Sequence, residues 1–78
     1  MDFKDEIKEL MAGILEVAEA EIADDTEVGD IESWDSLNHL KIIATLETKY
    51  NIHFSPDDLF NIENFGDIVA TTQRLTKA

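Results

Sequence analysis

The residues of this 78-residue chain best suited to chemistry stand together in Trp34-Asp35-Ser36-Leu37-Asn38-His39. Asp35 and Ser36 occupy the place of an N-cap, and the apolar-periodic run from Leu37 to Tyr50 begins directly behind them, which predicts a helix start. The unpaired backbone N–H groups and positive dipole end of such a start favour a phosphate, bound or attached. A phosphoester on Ser36 is one reading. The other is a plain cap by Asp35 or Ser36, which needs no ligand. A Ser36–His39 dyad oriented by Asp35 would make a nucleophile, but no oxyanion hole is identifiable beside it. The acidic run from Asp24 imitates a calcium loop with Gly29 in sixth place. There the third and fifth ligands would be Thr26 and Val28, and Asp35 would stand where a bidentate glutamate is needed. No catalytic residue and no metal site is therefore expected.

The elements that position Ser36 follow from apolar spacing. Asp2 reads as the N-cap of a first helix reaching about Glu19, with Asp5 and Glu6 in its first turn. Phe3, Ile7, Leu10, Ile14 and Val17 form its core stripe, widened by Met11, Leu15 and Ala18. Gly13 costs that helix about 1 kcal/mol relative to alanine, for no reason visible in the sequence. Residues 21–35 form a long acidic connection, which Ile22, Val28, Ile31 and Trp34 are expected to pin. The second helix, Ser36 to about Tyr50, carries two apolar strips. Ile42, Ile43, Leu46 and Tyr50 share the core side with His39, which reads as a core-edge histidine. Leu37, Leu40 and Ala44 either face solvent or pack beneath the loop against Val28 or Trp34. Lys41, Thr45 and Lys49 fall on the solvated side. Ser55, Pro56, Asp57 and Asp58 then give a cap, a proline at the first helical position and two first-turn acids, predicting a short helix from Pro56 to Asn61. Phe54, Leu59 and Ile62 point inward. Asn64 caps a last helix, Phe65 to about Thr76, with Phe65, Ile68, Val69, Thr72 and Leu75 facing the bundle. The fold class is all-α: a single domain over residues 1–78, a small bundle of three longer helices and one short one.

Composition narrows the function classes. A chain of this length buries only about 60% of its unfolded surface, so a preformed substrate pocket would hollow out its one core. A self-contained enzyme is not expected. Eighteen acidic residues against six basic ones give a net charge of −12. That balance repels nucleic acid and anionic membranes and attracts basic protein surfaces. With no cysteine, neither a disulfide framework nor a thiolate metal site can form, and any thiol must arrive with a cofactor. The start of the chain lacks the basic and apolar regions of a signal peptide, and no apolar stretch approaches a membrane span. A cytoplasmic monomer without membrane insertion is the expectation.

Asp35-Ser36-Leu37, opening a helix in the middle of a short acidic chain, resembles the attachment motif of acyl carrier proteins and the related carrier domains of polyketide and nonribosomal peptide synthesis. The order and spacing of helices, acidic loop and proline-led short segment resemble that family over nearly the whole chain. The resemblance implies that Ser36 carries phosphopantetheine through a phosphodiester, placed by Asp35 and the helix end, and that the distal thiol holds cargo as a thioester. It implies that a holo-carrier synthase, a phosphopantetheinyl transferase, donates the arm from coenzyme A, any magnesium being bound on the synthase. It further implies that acyl-activating or acyltransferase enzymes load the cargo and that synthases with basic patches dock on the chain. Leu37, Leu40 and Ala44 match the docking positions, with Glu47, Asp57, Asp58 and Glu63 as the acids that meet basic surfaces. Ile42, Ile43, Leu46, Phe54, Leu59 and Ile62 would line a lodged acyl chain. Lys41 and Thr48 stand where the fatty-acid members are acidic, and Trp34 is more typical of specialised carriers. A specialised acyl carrier is therefore expected. An aminoacyl, D-alanyl or peptidyl carrier differs from it in cargo, and an acidic adaptor with Ser36 as a plain cap differs in class.

Overall fold

The computed structural model describes residues 2–77. Among the described residues four α-helices follow one another: α1 (Phe3–Leu15), α2 (Ser36–Tyr50), α3 (Pro56–Asn61) and α4 (Phe65–Thr76), with a 3-10 turn at Glu19–Glu21. Among the described residues no strand forms beyond two isolated bridges, Glu27 with Asn64 and Val28 with Ile31. The architecture is thus the all-α bundle of three longer helices and one short helix, with a Cα radius of gyration of 11.4 Å. No described helix is long and apolar enough to cross a membrane.

Local chemistry sets the helix starts. Asp2, Asp35, Ser55 and Asn64 each accept a hydrogen bond from the backbone N–H three residues on, giving α1 to α4 their N-caps. At α3 the cap is reciprocal, since the Asp58 carboxylate also accepts from the Ser55 N–H at 3.2 Å.

The first helix is shorter than its periodicity predicts. It stops at Leu15 because Glu16 turns into the left-handed region at φ 58°, and the Val17 N–H returns to the Ala12 carbonyl at 3.1 Å. Ala18 lies beyond that turn and is exposed, so it does not widen the core stripe. Ser33 Oγ donates to the Leu15 carbonyl at 2.7 Å, which ties the long loop to the open end of α1.

Ile7, Met11 and Leu15 of α1, Ile42 and Leu46 of α2, Phe65 and Ile68 of α4, and Ile22 and Trp34 of the loop make up the most deeply buried core. Two of the four expected loop pins, Ile22 and Trp34, are buried, and Ile31 packs against the core. Val28 is 39% exposed and does not join the core; Gly29 follows it at φ 99°, a left-handed turn that glycine permits. Backbone bonds fasten the loop to α4 instead: Phe65 N–H to the Thr26 carbonyl at 2.9 Å and Gly66 N–H to the Asp24 carbonyl at 2.8 Å. Gly66 permits this approach, since a Cβ there would stand 3.1 Å from the Asp24 carbonyl oxygen.

Candidate phosphopantetheine site

Asp35, extended and outside the helix, is the residue that caps α2. Its Oδ1 accepts from the Asn38 N–H at 2.9 Å, and its carbonyl accepts from the His39 N–H at 2.8 Å. Ser36 is therefore the first helical residue, exposed, and among the described residues its hydroxyl has no hydrogen-bond partner. The loop before it is held from both sides. Asn38 Nδ2 donates to the Ser33 carbonyl at 2.6 Å, Trp34 N–H to the Ile31 carbonyl at 2.9 Å, and Gly29 N–H to the Trp34 carbonyl at 3.0 Å. An exposed, unengaged hydroxyl on a fixed helix start, beside N–H groups with no intrahelical partner, fits a phosphodiester at Ser36.

The triad-like alternative is not assembled. His39 Nδ1 receives the Trp34 indole N–H at 3.1 Å, and the Asp35 carboxylate is turned to Asn38. His39 is half-buried at the core edge, and burial holds its imidazole below the usual pKa of 6.5.

Around this start the residues sort into two groups. Leu37 and Leu40 are 72% and 60% exposed, with Ala44 exposed beside them, so the second strip faces solvent and does not pack beneath the loop. Ile42, Ile43, Leu46, Phe54 and Ile62 are buried in one cluster, with Leu59 packed against it. Two surface clefts lie elsewhere. One is lined by Glu6, Leu10, Gly13, Ile14 and Lys49, the other by Leu15, Val17, Ile31 and Ser33 together with acids; neither touches these six residues.

The four acids named for docking differ in their engagement. Glu47 Oε2 accepts from the Phe54 N–H at 2.9 Å and lies 3.4 Å from His53 Nδ1, bracing the 51–55 connection. Asp58 accepts from Ser55 and pairs with Arg74; the Ser55 N–H first, then Arg74, holds its carboxyl below the usual range. Asp57 and Glu63 are exposed. The sequence reading missed Phe60, which is 87% exposed on α3. Its signal was available: a helix of six residues buries one side only, and Leu59 takes it. The Trp34–His39 bond was missed as well, since the path of the loop decides it.

A family model described as "Phosphopantetheine attachment site" matches residues 5–72. The meromycolate extension acyl carrier proteins of Mycobacterium tuberculosis and Mycobacterium bovis are 32% identical to the chain over 75 residues, covering 87% of it. The chain spans 65% of the length of these curated relatives. Among solved structures, the solution NMR structure of a holo acyl carrier protein from Geobacter metallireducens superposes with a TM-score of 0.87 at 26% identity, over 99% of this chain and 88% of that one. The chain belongs to the acyl carrier protein family, and its matching family model is that of a phosphopantetheine attachment site.

Proposed function

We propose that the chain acts as a single carrier domain with its arm on Ser36, and that it serves a specialised acyl pathway in the cytoplasm. The observation that carries the assignment is the division of labour at the start of α2: Asp35 supplies the cap, and the Ser36 hydroxyl is exposed and unengaged. When bound, phosphopantetheine supplies the thiol that this cysteine-free chain lacks. The chain's own residues do the rest. Asp35 fixes the helix start, the free N–H groups there favour the phosphate, and Leu37, Leu40 and Ala44 offer an apolar strip to partner enzymes. Asp57 and Glu63 steer basic surfaces toward it, while Glu47 and Asp58 add charge from positions braced inside the fold.

A dedicated pathway is supported by Lys41, exposed beside the apolar strip. A like charge brought against a basic docking patch costs up to several kcal/mol, enough to exclude a partner. The name of the mycobacterial relatives, meromycolate extension, points the same way for those proteins. The test loads wild type and Lys41→Glu with one acyl group and compares kcat/KM with a general elongating synthase. We expect wild type to be the poorer substrate. Wild type matching that enzyme's own carrier refutes the dedicated role, and no gain in Lys41→Glu removes the lysine as its cause.

A further inference from the structure

Trp34 is fully buried two residues ahead of Ser36, and His39 lies three residues behind it. The indole Nε1–H donates to His39 Nδ1 at 3.1 Å, with ring centroids 6.1 Å apart. An indole nitrogen can only donate, so Nδ1 must present its lone pair and the ring must be the neutral Nε2–H tautomer. The Trp34 backbone is fixed on both sides by Gly29 and Ile31 of the loop, and its side chain by the first turn of α2. Ser36 sits between these two anchors.

We infer that the Trp34–His39 pair positions Ser36 for the enzyme that attaches the arm, with neutral His39 as a positioning residue acting through Trp34. This rests on the reading of Ser36 as the attachment point. Burial favours the neutral imidazole that the bond needs. Charged groups of the loop, of α2 and of α3 leave burial as the one cause. The Asp35 carboxylate is turned to Asn38, Glu47 to Phe54 and Asp58 to Ser55 and Arg74, while Glu32, Lys41 and Asp57 are exposed to solvent. A proton on Nδ1 replaces the lone pair with a second donor, and the hold of the helix on Trp34 is lost.

The test compares arm transfer from coenzyme A by a phosphopantetheinyl transferase to wild type, His39→Asn and His39→Leu, with far-UV circular dichroism confirming equal helix content. Asparagine keeps an acceptor at the δ position and does not titrate, whereas leucine removes the acceptor. At about pH 7.5, a unit above the ordinary imidazole pKa, His39→Leu should lower kcat/KM about three- to tenfold, the effect of one neutral hydrogen bond, and His39→Asn should restore most of it. The transferase titrates alike with every carrier, so the ratio of wild type to His39→Asn isolates His39. Because burial holds the imidazole below its ordinary value, that ratio should stay level through about pH 6.5 and fall only at lower pH, as His39 takes up its proton. Emission from Trp34, the single tryptophan, should change over the same window in wild type and stay constant in His39→Asn. Equal transfer to His39→Leu and wild type, or a ratio flat with pH, overturns the positioning role alone. Added mass that survives in Ser36→Ala overturns the attachment reading, and the positioning role with it.

Discussion

Asp35 and Ser36 are adjacent polar residues that sequence alone cannot tell apart as caps, and the structure gives them different tasks. Only Asp35 accepts from a helix-start N–H, so Asp35→Ala should cost about 1 kcal/mol of stability. Among the described residues Ser36→Ala removes no side-chain hydrogen bond, and it should stay within about 0.5 kcal/mol of wild type. Urea unfolding of both variants checks this; a large loss in Ser36→Ala would make the serine structural after all. The place of Ser36 at a helix start was legible because cap chemistry and apolar period are both local. The Trp34–His39 bond was not, although each residue is conspicuous alone, because a contact five residues apart across a loop–helix junction depends on how the loop folds. The same limit applies to Glu47 and Asp58, whose acidity was plain but whose internal partners were not.

At the scale of elements, α2, α3 and α4 were legible because each has a capping side chain at its start, directly ahead of its apolar positions. The end of α1 was not. No glycine marks it, and the left-handed turn falls on Glu16, which no local rule singles out. Gly13 inside α1 is exposed, and a Cβ there would meet nothing within 4 Å. Gly13→Ala should therefore stabilise the protein by about 1 kcal/mol, or about 4–8 °C in Tm for a domain of this size. Thermal melts followed by circular dichroism check the value. A loss of stability would mean that the surface groove beside Lys49 needs the missing side chain. Gly66 is the contrasting case, because its hydrogen there lets the loop backbone close on α4.

At the scale of the whole molecule, one small core holds the fold, and under the proposed function the same core would have to make room for cargo. Ile42, Ile43, Leu46, Phe54 and Ile62 are buried in this structure, and neither of the two surface clefts described above is lined by them. A standing void among them would cost about 24 cal/mol per Å³, a heavy charge on a domain with about 5–15 kcal/mol in total. An acyl chain attached through the arm should therefore enter by parting the helices. Chemical-shift changes on acylation should reach these five residues and Leu59; changes confined to the surroundings of Ser36 would leave the chain in solvent. All of this presumes the arm on Ser36, and one measurement decides that most directly. The protein is incubated with coenzyme A and a broad-specificity phosphopantetheinyl transferase, and the added mass is mapped on its peptides. A single phosphopantetheine is expected on the peptide containing Ser36, absent in Ser36→Ala. No added mass on wild type, or mass on Ser33 or Ser55, would contradict it.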